Sequence, residues 1–169
     1  DEKAELAKEC GCTHVINYRR EDFVARVKEI TGGEGVDAVY DSVGKDTFPN
    51  SLDCLKPRGL WISFGNASGP VPPFQIGILT QKGSLYATRP TLNTYIATRG
   101  QLLENAGDVM DMVRLGRVKI RVTNTYPMAE AAQAHRDLEA RATTGSIVLL
   151  ADYAERRVTP IYGTGGGED

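Results

Sequence analysis

The stretch VDAVYDSVGKDTFPNSLDCLKPRGLWISFGNASG, residues 36–69, contains two short runs rich in β-branched and aromatic residues. The runs VDAVYDSV, from Val36, and GLWISFG, from Gly59, are each typical of a buried strand. Two similar runs, THVINY from Thr13 and GSLYATRP from Gly83, extend the pattern, so that the four begin at intervals of 23, 23 and 24 residues. This spacing is typical of βαβ units, whose right-handed crossovers join parallel strands, and it predicts a parallel sheet.

The segments between these runs have helical character. In the first gap, the apolar residues fall on one face of a predicted helix that ends at Gly32-Gly33; they are Phe23, Val24, Val27 and Ile30. Weaker helical segments, 46–55 and 74–81, occupy the other gaps. The opening stretch DEKAELAKEC also has a helical pattern, so we expect the chain to begin inside a domain. The predicted fold class is α/β, with a doubly wound parallel sheet.

The pattern changes after Pro90. A long helix is predicted over 95–115, with an apolar face turned inward that consists of Leu102, Leu103, Ala106, Val109, Met110 and Val113. A strand KIRVTNTYP, a helix MAEAAQAHRDLEARA and a strand GSIVLL follow. The tail 151–169 contains the run GTGGG and is expected to be poorly ordered.

Composition excludes several classes of function. With 20 basic and 22 acidic residues the net charge is -2, which offers no electrostatic support for a nucleic-acid partner. The longest apolar run is far shorter than the roughly 20 residues of a membrane-spanning helix. The three cysteines, Cys10, Cys12 and Cys54, show no disulfide pattern, which favours a reducing compartment and a cytoplasmic location. Cys10-Gly-Cys12 could suggest a metal, but no second pair follows at the spacing of zinc ligands, so we expect no metal site.

The residues that end the predicted strands are the candidates for ligand binding, because ligands of open parallel sheets bind at the carboxyl ends of the strands. These ends are rich in small and polar residues: Asn17-Tyr18, Asp41-Ser42-Val43-Gly44, Phe64-Gly65-Asn66 with Ser68, and Arg89-Pro90-Thr91-Leu92. Glycine allows close backbone approach to a ligand, and Ser, Asn and Thr provide hydrogen bonds, so a nucleotide site is predicted. The alternative interpretation is that these residues only form loops.

Three blocks make the prediction more specific: VINYRREDFVARVKEITGG, VYDSVGKDTFPNSLDCLKPRGLWISFGNASG and ILTQKGSLYATRPTL. They closely resemble NADPH:quinone oxidoreductases, the zeta-crystallin-like, zinc-independent branch of the medium-chain dehydrogenase/reductase superfamily. The resemblance covers nearly all of residues 1–150. It implies that 1–90 form the later part of a Rossmann nucleotide-binding domain and that 91–150 are a returning segment of a GroES-like catalytic domain. The glycine-rich turn that holds the pyrophosphate would lie upstream of Asp1.

The resemblance also implies which residues bind NADPH. Lys3 and Tyr18 would approach the 2′-phosphate, since an ammonium group and a phenol donor suit a dianion. Ser42, Phe64, Gly65 and Asn66 would line the adenosine and ribose side, the Leu92 backbone would approach the nicotinamide amide, and Arg141 would reach the cofactor from the returning segment. No catalytic acid can be named, and His14 and His135 are interpreted as structural.

The implied reaction is hydride transfer from NADPH to a quinone in a cleft between the two domains. Two alternatives stay open: an NADPH-dependent reductase of enal or enone double bonds, and a non-catalytic nucleotide-binding or crystallin-like protein. The resemblance further implies a homodimer that forms through strand 83–90. The 169-residue chain alone is expected to be inactive.

Overall fold

The computed structural model describes residues 2–140 and 142–151. The chain divides into two compact units, Asp1–Asp108 and Val109–Asp169. The first contains a three-stranded parallel sheet, and the second contains a two-stranded parallel sheet. This mixed α/β architecture with parallel sheets confirms the predicted fold class. The domain boundary expected at residue 90 stays a prediction.

The first sheet is formed by β1 (Val36–Asp41), β2 (Leu55–Ser63) and β3 (Tyr86–Thr88), in that order. Tyr40 lies beside Ile62, and Ile62 lies beside Thr88. These strands confirm three of the four predicted runs. Strand β2 begins four residues before the predicted run, because Leu55 pairs with Val36 ahead of an irregularity in the ladder.

Four short helices accompany this sheet: α1 (Glu2–Glu9), α2 (Phe23–Ile30), α3 (Asn50–Asp53) and α4 (Gly77–Gln81). Helix α2 contains the four predicted apolar residues and ends at Ile30, two residues before the predicted stop at Gly32-Gly33. Asp22 caps it, because its carboxylate accepts hydrogen bonds from the backbone amides of Val24 (2.9 Å) and Ala25 (3.2 Å). The predicted helices at 46–55 and 74–81 form over only part of their length.

The prediction of a strand at THVINY is wrong for the described part of the chain. Residues 13–17 have no regular secondary structure, although Val15 and Ile16 are half-buried. A strand exists only where its backbone pairs with a neighbour, and no neighbour pairs with this segment within the described part of the chain. The segment leads instead into a turn, in which the Asn17 carbonyl accepts from the Arg20 amide at 2.8 Å.

The predicted long helix at 95–115 is interrupted. Helix α5 (Leu92–Tyr95) ends before a break, and α6 (Arg99–Arg114) begins after Thr98. The Thr98 hydroxyl accepts from the Gln101 amide at 3.2 Å, while the Gln101 side-chain oxygen accepts from the Thr98 amide at 3.0 Å. This reciprocal pair is a capping box, which starts a new helix at this point. No described helix has the length and apolar character to cross a membrane.

The apolar face of α6 is not buried as predicted. Leu102 and Val113 are half-buried, whereas Leu103, Val109 and Met110 are exposed. The sequence pattern correctly indicates an amphipathic helix. It does not indicate which element would cover the apolar face, and the described residues leave most of that face exposed.

The core of the first unit lies on one face of the sheet. Leu52, Leu55, Trp61 and Leu85 are buried together. The ring of Trp61 packs near that of Phe48, with ring centroids 5.4 Å apart. Side chains alternate between the faces of a strand, and the opposite face carries the exposed Tyr40, Leu60 and Tyr86 together with Ile62, which is buried.

The second unit confirms the predicted order of strand, helix and strand. Strands β4 (Val122–Pro127) and β5 (Ser146–Leu150) pair in parallel, and a 3-10 turn (Met128–Glu130) and α7 (Ala131–Glu139) lie between them in sequence. The Tyr126 hydroxyl donates to the Asp137 carboxylate at 2.8 Å, which ties β4 to α7. The predicted tail lies outside the described residues from position 152 onward.

The three cysteines should differ in reactivity. Cys54 is buried, and burial together with the nearby Asp53 charge raises the pKa of its thiol to about 11, whereas Cys10 and Cys12 are exposed. We expect a thiol reagent at pH 8 to modify two cysteines rapidly and Cys54 only after denaturation, because the thiolate is the reactive form. In the Cys10→Ser, Cys12→Ser double variant, rapid modification under native conditions would contradict the burial of Cys54.

Candidate functional site

The candidate site lies at the carboxyl ends of β1 and β2. These strands end at Asp41 and Ser63, which are direct neighbours in the register. The chain leaves them through two loops, 42–47 and 64–69, which therefore begin side by side. In an open parallel sheet this edge is where ligands bind.

The two loops are joined by backbone hydrogen bonds. The amides of Phe64 and Gly65 donate to the Asp41 carbonyl at 2.9 and 3.3 Å. The Ala67 amide donates to the Ser42 carbonyl at 3.1 Å, and the Ser68 amide donates to the Val43 carbonyl at 2.9 Å. The two loops therefore form one continuous surface, which we call the loop platform (residues 42–47 and 64–69).

Two glycines make this close contact possible. A Cβ atom on Gly65 would lie 2.4 Å from the Ser42 carbonyl oxygen and 2.7 Å from the Ser42 Cα. Gly44 has φ near +90°, and a Cβ atom there would lie 2.5 Å from the Gly69 carbonyl oxygen. Neither position accommodates a side chain without moving backbone, so glycine is required where the loops meet.

Four of the predicted cofactor residues come together on the loop platform: Ser42, Phe64, Gly65 and Asn66. The side chains of Ser42 and Asn66 are exposed, and half of the Phe64 residue surface is exposed. The platform thus presents hydroxyl, amide and aromatic groups to solvent beside a strand end. These groups can hydrogen-bond and stack against a nucleotide.

Asp41 lies at the centre of this site, although the sequence predicted it only as one of the strand-end residues and not as a cofactor contact. It is buried, and its Oδ1 accepts from the amides of Val43 and Gly44 at 2.9 and 3.0 Å. Its Oδ2 accepts from the Thr47 hydroxyl at 2.9 Å and the Ser51 hydroxyl at 2.7 Å. Burial alone raises the pKa of this carboxyl, but the hydrogen bonds that it accepts outweigh burial and lower the pKa below its ordinary value.

Arg89 connects the third strand to the platform. Its Nη1 donates to the Ser63 carbonyl at 2.7 Å and to the Gly65 carbonyl at 3.2 Å. Beside it lies an open cavity of about 520 Å³. The cavity is lined by Trp61, Ser63, Val71, Pro72, Pro73, Phe74, Ala87, Thr88 and Arg89.

The other predicted site residues lie elsewhere in the described chain or outside it. Lys3 is exposed on α1, and Tyr18 is exposed in the turn after residues 13–17. Leu92 is the first residue of α5 and is exposed. Arg141 lies outside the described residues, so its proposed contact with a cofactor stays a prediction.

Comparisons with known proteins give consistent results. The sequence model of the family described as "Zinc-binding dehydrogenase" matches residues 10–149. A quinone oxidoreductase of Salmonella typhimurium is 54% identical over 151 residues, which are 88% of this chain and 46% of that protein. A 2-haloacrylate reductase of a Burkholderia species is 48% identical over 151 residues, which are 89% of this chain and 45% of that protein.

A solved structure shows the same fold. The structure of Escherichia coli quinone oxidoreductase complexed with NADPH superposes with a TM-score of 0.84 at 51% sequence identity, and covers 88% of this chain and 47% of that protein. The chain therefore spans a little under half the length of each of these three proteins.

Proposed function

Because the chain belongs to the zinc-binding dehydrogenase family, we propose that the protein carrying it is an NADPH-dependent quinone oxidoreductase. The observation that carries this proposal is the loop platform, on which four predicted cofactor residues meet at the carboxyl ends of β1 and β2. The NADPH complex of the similar Escherichia coli enzyme supports the choice of cofactor. The name of the Salmonella typhimurium relative supports quinone as the substrate.

The arrangement of domains and the location are part of the proposal. Residues 1–90 would belong to the nucleotide-binding domain, and residues 91–150 would be the segment that returns to the catalytic domain. The unpaired cysteine pattern favours a cytoplasmic location.

The residues of this chain fit NADPH at the platform. Because Gly65 and Gly44 have no side chains, the two loops can lie close together at the ends of β1 and β2. Ser42 and Asn66 would hydrogen-bond the ribose side, Phe64 would pack against the cofactor, and the Leu92 backbone would orient the nicotinamide amide. Lys3 and Tyr18 would bind the 2′-phosphate, and Arg141 would contact the cofactor from the returning segment. NADPH would supply the hydride, and the protein would orient the nicotinamide ring and exclude water.

Zinc, which the family description names, has no fitting ligand set among the described residues. No group of three or more His, Cys, Asp or Glu side chains there is arranged to hold a metal. Cys54 is buried in the core, and its Sγ lies 3.7 Å from the Asn50 carbonyl oxygen. We therefore assign no chemical step to zinc.

The proposed activity predicts NADPH oxidation that depends on added quinone. The measurement is the initial rate with a panel of quinones in the full-length protein, with the isolated 169-residue chain as the comparison. We expect turnover by the full-length protein and none by the isolated chain, since the chain covers less than half the length of the matched enzymes. Tight NADPH binding with no turnover of any acceptor would favour the non-catalytic alternative.

A second candidate function is reduction of an activated carbon–carbon double bond. The 48% identity to a 2-haloacrylate reductase specifically favours it. Both reactions would use the same cofactor surface, so only the acceptor distinguishes them. Assays of haloacrylates, enals and enones beside the quinones would decide, and a higher kcat/KM for any of these acceptors than for every quinone would replace the quinone proposal.

We also propose a homodimer that forms through residues 83–90. Among the described strands, β3 pairs only with β2 and so forms an edge of the sheet, which can pair with a second copy. Sedimentation of the full-length protein at micromolar concentration should show a dimer. Thr88→Lys should weaken the dimer because a charge blocks edge pairing, whereas Thr80→Lys, at an exposed position of α4, should not. A purely monomeric wild type would overturn the proposal.

A further inference from the structure

The carboxylate of Asp41 has two sets of partners. On the side of the loop platform it accepts from the amides of Val43 and Gly44 and from the Thr47 hydroxyl. On the side of the core it accepts from the Ser51 hydroxyl at 2.7 Å, and Trp61 Nε1 lies 3.5 Å from Oδ2. A single buried anion therefore connects the first loop of the platform to the packed interior.

The hydrogen bonds on the loop side determine where the peptide groups of residues 41–43 point. The hydrogen bonds that the backbone amides of Val43 and Gly44 donate to Oδ1 close a tight turn immediately after β1. The carbonyl groups of the same turn accept hydrogen bonds from the amides of Phe64, Ala67 and Ser68 in the second loop. A change in the turn would therefore also move the loop that contains Gly65 and Asn66.

We propose that Asp41 is a positioning residue for cofactor binding, whose carboxylate holds the 42–44 turn and, through it, the 64–69 loop in the arrangement that receives the nucleotide. The inference rests on the proposed NADPH-dependent function. Asp41 is buried beneath the platform and acts through Ser42 and the 64–69 loop, so it would not itself touch the cofactor.

The two sets of partners allow a test that separates positioning from general stability. Thr47 and Ser51 are both buried, and each hydroxyl lies within hydrogen-bond distance of Oδ2. Thr47→Val removes the donor on the loop side with little change of shape, and Ser51→Ala removes the donor on the core side. Asp41→Asn replaces the carboxylate by an amide, whose oxygen accepts the two backbone amides less strongly.

The experiment compares these three variants in the full-length protein. Asp41→Asn and Thr47→Val should raise the KM for NADPH by roughly tenfold and leave kcat at saturating NADPH within about twofold. Ser51→Ala should leave the KM for NADPH unchanged, even if it lowers the free energy of unfolding as much as Thr47→Val does. Amide hydrogen exchange without cofactor should accelerate at Ala67 and Ser68 in the first two variants and not in Ser51→Ala.

The kinetic and hydrogen-exchange measurements distinguish an error in the proposed function from an error in the role of Asp41. If wild-type protein neither binds nor oxidises NADPH, the proposed function is wrong, and hydrogen exchange still decides whether Asp41 holds the platform. If all three variants raise the KM in proportion to lost stability, the effect is general and the inference is overturned. Accelerated exchange with an unchanged KM would show that the position of the platform does not control cofactor binding, which also overturns it.

Discussion

Replacement of Gly65 by alanine should strongly destabilise the first unit and weaken NADPH binding by more than tenfold. The new Cβ atom would lie 2.4 Å from the Ser42 carbonyl oxygen and 2.7 Å from the Ser42 Cα, so backbone must move on one loop or the other. Forcing extra volume into a packed contact costs about 3 kcal/mol where backbone must shift. The measurements are denaturant unfolding and cofactor titration of the full-length protein.

Gly77→Ala is the matched control for this prediction. Gly77 is the first residue of α4, and a Cβ atom there meets nothing within 4 Å. Because alanine loses less backbone entropy than glycine on folding, the change should be neutral or stabilise the protein by about 0.5 kcal/mol. If Gly65→Ala behaves like Gly77→Ala, the loops do not approach each other as closely as the structure shows.

Loss of the Lys3 ammonium group should reduce the preference for NADPH over NADH by roughly tenfold or more. A hydrogen bond between an ammonium and a phosphate contributes about 1.5 to 3 kcal/mol. NADH has no 2′-phosphate, so its binding does not depend on this hydrogen bond. The measurement is kcat/KM for both cofactors in the wild type and in Lys3→Ala. Tyr18→Phe removes a neutral donor and should have a smaller effect in the same direction.

Lys8→Ala serves as the control for Lys3→Ala. Lys8 is an exposed lysine of the same helix, and its ammonium group pairs with Glu5 at 3.0 Å. The Lys8→Ala variant should leave the preference for NADPH over NADH unchanged. Unchanged kcat/KM for both cofactors in Lys3→Ala would remove Lys3 from the site, while equal losses for NADPH and NADH would indicate general damage to the fold.

Much of the first unit could be predicted from local patterns. The runs at Val36 and Gly59 have the β-branched and aromatic content of buried strands, and α2 has both a capping aspartate and an apolar face. The small and polar residues that follow β1 and β2 also identified the edge at which the platform forms. The capping box of Thr98 and Gln101 was also present in the sequence, as a threonine followed three residues later by a glutamine, and would have separated α5 from α6.

Other features depend on contacts that no local pattern contains. The run at Thr13 has the composition of a strand, but no described strand pairs with it, and pairing is what makes a strand. The apolar pattern of α6 shows that the helix has two faces, while burial of one face depends on another element that covers it. Both predictions went wrong because they required a partner, and a partner is a tertiary property.

The sequence by itself determined the α/β class, the order of most elements and the location of the candidate site, because periodicity and turn chemistry act over a few residues. Only the tertiary structure decided how that site is held together. The hydroxyl of Ser51 and the indole of Trp61 lie 10 and 20 residues from Asp41 in sequence, and they meet its carboxylate only after β1, α3 and β2 have packed. The contact between Gly65 and Ser42 likewise arises only when two parallel strands end side by side, since hydrogen bonds and close packing depend on distance in space.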